Sequence, residues 1–228
     1  MKDVCELIGV IIGDGSIIYN SKNRTYRLEI AGNATEDPRY FSMLSKTIFK
    51  LSKKEPKIRF RQHKKGKGIT LYSDNKKFVE FLINEFKLPF GKKTFTIRIP
   101  NQFLTWKYSK HVIRGIFEAD GSIYFSRSKP KSNYPTYPRI EIVTSSKNLS
   151  VQLVEILRKK SFKVQTINSD SRKTIKIYIS GEKMLEKWIK EIGFSSPKNI
   201  SKFLFWKTNG YYIPKTTLKE RERLLNYI

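Results

Sequence analysis

Two acidic residues, Asp14 and Asp120, each close a run of small and aliphatic residues, and each is followed by glycine and serine. The first run is "ELIGVIIGDGSI", from Glu6, and the second is "VIRGIFEADGSIYF", from Val112. Gly9, Gly13, Asp14, Gly15 and Ser16 recur as Gly115, Ala119, Asp120, Gly121 and Ser122, each 106 positions later. Glycine inside a helix costs about 1 kcal/mol relative to alanine, so its use at helical spacing needs a reason. Residues four apart share one helical face, and small side chains there let two helix backbones approach closely. If the two copies pack on each other, Asp14 and Asp120 arrive at the same end. Two carboxylates held close repel unless a proton or a cation lies between them. Hard oxygen ligands suit Mg²⁺, which keeps waters and binds phosphate oxygens. Facing a nucleic-acid duplex, such a pair suits metal-assisted phosphodiester hydrolysis. One Gly-Asp-Gly alone would read as a helix terminus; two copies with small residues at matched positions do not.

The charge balance points to the same kind of partner. The 228 residues carry 46 Lys and Arg against 20 Asp and Glu, a net charge of +26. Residues 1–105 hold 21 basic and 10 acidic residues and residues 106–228 hold 25 and 10, so the halves carry +11 and +15. An excess shared by both halves implies a polyanion rather than a basic tail. A general basic binder of the ribosomal-protein kind and an anionic membrane surface are the plainer alternatives. No apolar run approaches the ~18 residues of a spanning helix, so no membrane partner is expected. Lys2 and Asp3 precede an apolar stretch broken by Glu6 and Asp14, which is not a secretory signal pattern. The expectation is an intracellular protein, of a microbial cytoplasm or an organelle. A single cysteine, Cys5, excludes an internal disulfide and a cysteine-based zinc site. The two histidines, His63 and His111, have no neighbours that suggest nucleophilic chemistry and read as surface or packing residues.

The elements that must position the acids follow from periodicity. After the first helix, "SIIYN" and "TYRLEIAG" flank the turn "SKNR" as a hairpin. "TEDPRYFSMLSKTIFKLSK" reads as a helix with Thr35 as cap and Pro38 in its first turn. "PKIRFRQ" and "GITLYS" form a second hairpin around "HKKGKG", and "DNKKFVEFLINEF" a third helix capped by Asp74. The second half repeats the order: hairpin "SIYFSRS"/"PRIEIVTS" around a Pro/Ser-rich loop, helix "SKNLSVQLVEILRKK", hairpin "FKVQTIN"/"TIKIYIS", helix "GEKMLEKWIKEI". The fold class is α+β, with an αββαββα repeat in residues 1–100 and another in 101–228, joined by a linker near 91–105. "TTLKERERLLNYI" reads as an extra C-terminal helix.

Strand side chains two apart share a face. Leu28 and Ile30, Ile58 and Phe60, Ile140 and Ile142, and Ile175, Ile177 and Ile179 take the inward parity. The outward set is Arg27, Glu29, Lys57, Arg59, Arg61, Tyr72, Arg139, Glu141, Lys163, Gln165, Lys176 and Tyr178. Arg and Lys suit guanine edges and phosphates, Gln suits adenine, and Glu accepts from cytosine. A solvated sheet face is the ordinary alternative, but the arrangement recurs in both halves. Most strand aromatics are expected on the inward parity, which favours a duplex over a single-strand stacking platform.

At residues 7–15, "LIGVIIGDG", and 113–121, "IRGIFEADG", the chain resembles the LAGLIDADG homing endonuclease family in its single-chain, two-motif form. The resemblance implies a monomer whose motif helices form the interface between two pseudosymmetric domains, with two antiparallel sheets making a saddle over double-stranded DNA. It makes Asp14 and Asp120 the metal-binding catalytic acids and adds the backbone carbonyls of Gly13 and Ala119 as ligands. It also implies Mg²⁺ or Mn²⁺ as cofactor, with Ca²⁺ binding without cleavage, and a double-strand break with 3′ overhangs that mobilises an intron or intein. The family often places Gln or Lys after the second strand of a repeat, where Asn33 and Lys147 are loose counterparts here. A basic residue near each scissile phosphate is also usual; Arg61, Lys92, Lys93 and Lys198 are the candidates. Intron RNA, bound by a splicing maturase, is the alternative partner, and a non-catalytic DNA-binding regulator the third reading.

Overall fold

The two glycine-bearing runs are helices, and they pack on each other. The structure is a computed structural model, described over residues 1–63, 66–127 and 133–226. Helix α1 spans Lys2–Ile12 and its counterpart α4 spans Trp106–Asp120. Each is followed by two antiparallel hairpins with a helix between and after them. The first half contains β1 (Gly15–Asn20), β2 (Thr25–Asn33), α2 (Pro38–Ser52), β3 (Lys57–His63), β4 (Gly66–Ser73) and α3 (Lys76–Asn84). The second contains β5 (Gly121–Ser126), β6 (Tyr137–Thr144), α5 (Lys147–Lys159), β7 (Val164–Ser169), β8 (Thr174–Ser180) and α6 (Glu182–Glu191). The strand orders are β1-β2-β4-β3 and β5-β6-β8-β7, the same topology twice. The tips of two expected loops, at 64–65 and 128–132, and the side chain of His63 lie outside the described residues.

Gly9 and Gly115 explain why the helices can meet. A Cβ on Gly9 would collide with the Val112 carbonyl and lie 2.9 Å from Gly115 Cα. One on Gly115 would collide with the Glu6 carbonyl and lie 2.8 Å from Val10 N. Around this contact Leu7, Ile8, Ile11, Val112, Ile113 and Ile116 are buried, which joins the two sheets' cores through the helix pair.

Several local expectations need correction. Asp37, not Thr35, stands at the N-cap of α2; Thr35 bonds to the Asn33 side chain instead. Asn75, not Asp74, caps α3, its Oδ1 accepting from Phe78 N at 3.2 Å, because Asp74 falls one residue too early and pairs with Arg27. Ile58 and Phe60 keep the core-side parity, opposite Leu71 and Ile69. They are nevertheless 42% and 65% exposed, since α3 packs on β2 and α2 on β4, leaving the edge strand with little cover. Lys163 precedes β7 rather than lying in it. The strand aromatics are evenly divided: Tyr19, Tyr26, Phe60 and Phe125 take the inward parity, but Tyr72, Tyr124, Tyr137 and Tyr178 share the outward one.

Beyond α6 two helices follow, not one. Helix α7 (Pro197–Asn209) and helix α8 (Leu218–Asn226) pack on each other. The signals for α7 were present, with Ser196 accepting from Lys198 N, Pro197 in the first turn and Gly210 at the C-cap with φ 73°. Its face is not cleanly amphipathic, because it packs on more than one element. α8 reaches back to the first half. Arg221, 1% exposed, donates to Glu36 Oε2 at 2.8 Å and to Ser201 Oγ at 2.9 Å, and Leu218 N donates to Glu36 Oε1 at 2.8 Å.

Candidate active site

α1 ends at Ile12 and α4 at Asp120, so both motif acids sit where their helix gives way to a strand. The close crossing at Gly9 and Gly115 brings these ends together. A Cβ on Gly13 would stand 2.5 Å from Ala119 Cβ and 3.1 Å from Asp120 Oδ2. Both acids open to solvent, as groups that share a ligand with a substrate must. Partial desolvation by the packed backbone raises the pKa of both. Asp120 is pushed up to about 6, first by desolvation and then by the nearby Asp14, with Lys93 opposing. Asp14 rises less, because Lys198 and Lys93 offset the desolvation and the nearby Asp37.

Lys93 comes from the segment joining the halves. Its Nζ donates to the carbonyls of Ile11 and Ile12 at 2.5 Å and of Gly13 at 2.9 Å. These are last-turn carbonyls, which carry the negative end of the helix dipole and lack intrahelical partners. Desolvation lowers the Lys93 pKa to about 8, while the two acids oppose that fall. The same segment is fixed by Ile97 and Ile99, both buried. Ile99 N and O bond to the Gln152 side chain at 2.8 and 3.1 Å, and Ser146 Oγ donates to Ile97 O at 2.6 Å.

On the Asp14 side, Lys198 of α7 pairs with Asp37 at 3.1 Å, and Asp37 Oδ2 also accepts from Asn33 N at 2.7 Å. Among the sequence candidates, the structure therefore brings Asp14, Asp120, Gly13, Ala119, Lys93 and Lys198 together. Lys92 is exposed beside Lys93, and Arg61 and Lys147 are exposed on β3 and α5. Asn33 spends its carboxamide oxygen on Thr35 and Glu36. Sequence reasoning missed Asp37, although an Asp directly before Pro38 is an N-cap signal. It also missed Glu118, a buried carboxylate whose oxygens accept from Ser195 N at 2.7 Å and Asn199 Nδ2 at 2.6 Å. Burial pushes Glu118 up to about 7, and the bonds tie α4 to the start of α7.

The donor set fits a hard divalent cation. Two raised carboxylates lie near each other at the ends of the helix pair, beside backbone carbonyls, and Asp14 pushes the Asp120 pKa up; a cation there would relieve that repulsion. Among the described residues no cluster of three or more His, Cys, Asp or Glu side chains could hold a metal by itself. The remaining ligands would have to be waters and phosphate oxygens. A 310 Å³ cleft lined by Gly13, Lys93, Asp120 and Thr144 adjoins the acids. A larger one, 580 Å³, lies between α5 and the β7–β8 hairpin and touches neither acid.

The outward sheet faces flank this site. Arg27 bonds to Glu29 at 3.3 Å and to Asp74, and its guanidinium and that of Arg59 lie 4.8 and 5.0 Å from the Tyr72 ring centre. In the second half Lys176 pairs with Glu141 at 3.5 Å, Tyr178 also bonds to Glu141, and Arg139 donates to Ser126 Oγ at 3.1 Å. Lys57, Arg59, Arg61 and Gln165 are exposed on their edge strands, as is Lys163 just before β7.

Comparison with known proteins agrees with this geometry. The sequence profile described as the LAGLIDADG DNA endonuclease family matches residues 6–186. The fold is similar to that of the homing endonuclease I-DmoI in complex with DNA and Mn, with a TM-score of 0.59 at 16% identity over 85% of this chain and 97% of that one. It is also similar to I-WcaI bound to its DNA recognition sequence (TM-score 0.58, 16% identity, 85% and 82% covered). A third is the N-terminal LAGLIDADG domain of DUF199/WhiA (TM-score 0.54, 17% identity, 85% and 82% covered). Among curated proteins no sequence relative matches.

Proposed function

The chain belongs to the LAGLIDADG DNA endonuclease family, and on that premise we propose that it is a site-specific, metal-dependent endonuclease acting as a monomer inside a microbial cell or organelle. It cuts both strands of a long duplex target, leaving 3′ overhangs, and so mobilises an intron or intein. Residues 1–100 and 101–228 act as its two domains, one on each half of the target. The observation that carries this reading is the meeting of Asp14 and Asp120 at one end of a glycine-mediated helix crossing, with Lys93 beside both.

In this role Asp14 and Asp120 would hold the divalent cation, with the Gly13 and Ala119 carbonyls as candidate further ligands. Bound Mg²⁺ would lower the pKa of a water and neutralise charge building on the phosphate. Mn²⁺ is expected to substitute, consistent with the Mn-bound I-DmoI complex, and Ca²⁺ to bind without cutting. Lys93 and Lys198 supply positive charge beside the acids, where an extra negative charge on the scissile phosphate develops. Arg27, Glu29, Lys57, Arg59, Arg61, Tyr72, Arg139, Glu141, Lys163, Gln165, Lys176 and Tyr178 then meet the duplex on either side.

The test is cleavage of a randomised duplex library by the wild type and by the Asp14→Asn/Asp120→Asn variant, with Mg²⁺ and with EDTA. Cut ends sharing one long sequence, dependent on Mg²⁺ and absent in the variant, are expected. Full cutting by the variant would remove both acids from the mechanism. The four outward tyrosines favour one second reading, in which intron RNA stacks on the sheets. Tight, salt-sensitive binding without cutting, together with rescue of splicing, would select it.

A further inference from the structure

The two sheets correspond residue by residue through Glu29 and Glu141. Glu29 stands opposite Tyr72, and Glu141 opposite Tyr178. On the outer side, Tyr72 stands opposite Lys57 and Tyr178 opposite Gln165. Moving along the edge strands two residues at a time, Arg59 corresponds to Ile167 and Arg61 to Ser169. The middle of each face therefore repeats the same set: Arg27, Glu29 and Tyr72 in one half, Arg139, Glu141 and Tyr178 in the other.

The edges do not repeat. β3 presents Lys57, Arg59 and Arg61, exposed and without a carboxylate in any ion pair among the described residues. β7 presents Gln165, Ile167 and Ser169, all uncharged, and Ile167 is 56% exposed on that face. Residues two apart on a strand are separated by about 6.8 Å, close to two base-pair steps of about 3.4 Å. Each edge strand can thus present successive side chains to bases two steps apart. Arginine suits the O6 and N7 acceptors of guanine, glutamine suits adenine, and an apolar side chain suits the thymine methyl. An isoleucine gains nothing from a phosphate, so its exposure on this face points to a base edge.

Resting on the duplex-cutting reading above, we infer that the two halves of the target differ in base composition. β3 reads guanines through Arg59 and Arg61, whereas β7 reads A·T pairs, with Ile167 against a thymine methyl group and Gln165 on a nearby adenine.

The experiment uses the full chain and its selected duplex, with Ca²⁺ in place of Mg²⁺, and measures affinity after single-atom changes in the DNA. Uracil replaces each thymine in turn, removing only the methyl; 7-deazaguanine replaces each guanine, removing only N7. In one half, uracil at one or two positions should weaken binding about fourfold, the value of one buried methyl-sized group, and Ile167→Ser should abolish that sensitivity. In the other half, 7-deazaguanine should weaken binding roughly tenfold, and Arg59→Ala or Arg61→Ala should abolish it. Unfolding midpoints equal to wild type would show that these exposed substitutions leave the fold intact. Uracil penalties indifferent to Ile167, or both sensitivities in one half, would overturn the inference while leaving the nuclease reading standing. A chain that selects no duplex at all would overturn both.

Discussion

Gly9 and Gly115 face each other across the α1–α4 crossing so closely that a methyl group on Gly9 would lie 2.9 Å from Gly115 Cα. The obstacle on each side is helix backbone, which cannot swing away as a side chain would. This contact sets the distance between the helix ends, and so between Asp14 and Asp120.

Gly9→Ala or Gly115→Ala should therefore force the helices apart. Overpacking of a dense interior usually costs 1–3 kcal/mol, and with backbone as the obstacle a loss of about 3 kcal/mol or more is expected, together with loss of cutting. Gly91, with φ 73° and open space around it, provides the comparison; Gly91→Ala should cost about 1 kcal/mol. Urea midpoints for the three variants decide the matter. Equal losses at Gly9 and Gly91 would mean that the crossing is not what holds the helices in place.

Lys93 links stability and chemistry. It caps the end of α1 and acts electrostatically on both acids. Lys93→Met should cost about 2 kcal/mol through the lost charge-assisted hydrogen bonds and slow cleavage of both strands, at least roughly tenfold for a lost electrostatic stabiliser. End-labelled duplexes report each strand separately. A stability loss with unchanged rates would confine Lys93 to capping.

Lys198 has no such symmetry. It pairs with Asp37 and opposes the rise of the Asp14 pKa, whereas Lys93 is the cation that opposes the rise at Asp120. Lys198→Met is expected to slow one strand's cut more than the other's, so that nicked duplex accumulates before linear product. Equal slowing of both strands would instead place Lys198 among general phosphate contacts.

Arg221 joins the C-terminal helix to the first half through Glu36, and it is buried. Removing one partner of a buried pair leaves an uncompensated charge, at a cost of about 3–5 kcal/mol. Arg221→Ala should reach that range in urea unfolding. Arg221→Ala combined with Glu36→Gln should recover part of it, since no isolated carboxylate is then left behind. No recovery in the double variant would mean that packing of the arginine, rather than charge, sustains the contact.

The sequence carries the repeated architecture because its signals are periodic: the motif helices, the paired hairpins and the outward Arg-Glu pattern follow from spacing alone. Features resting on a single residue were less readable. Thr35, Asp37, Asp74 and Asn75 are all plausible caps by type, and the choice depends on where the first helical hydrogen bond falls. The site's basic residues were named without ranking. Nothing local distinguishes Lys92, which is exposed, from Lys93, which reaches the last two carbonyls of α1 and that of Gly13. That choice is made by Ile97 and Ile99, whose burial fixes the linker against α5. Helix α7 carries its own start and stop signals, but its contacts with Glu118 and Asp37 are set by tertiary packing.

Two buried groups should give stability opposing pH dependences. His111 is buried, with Nδ1 lacking a hydrogen-bond partner. Its pKa is lowered to about 4, first by burial and then by Arg114, Lys110 and Lys2, with Asp3 opposing. Between that value and the ordinary value near 6.5, the unfolded chain binds a proton that the folded chain does not. His111 therefore lowers stability as pH falls through this window. Glu118 works the other way: between 4.5 and about 7 the folded chain keeps a proton that the unfolded chain has released, so stability rises as pH falls. His111→Leu should make the protein more stable at pH 5 than at pH 7. Glu118→Gln should steepen the loss on acidification, by on the order of 2 kcal/mol over that interval. The glutamine can still accept from Ser195 N, and Asn199, whose Oδ1 is unpaired, can turn to accept from its amide. Urea midpoints at the two pH values test both slopes. Parallel wild-type and His111→Leu curves would mean that the imidazole already titrates normally in the folded chain.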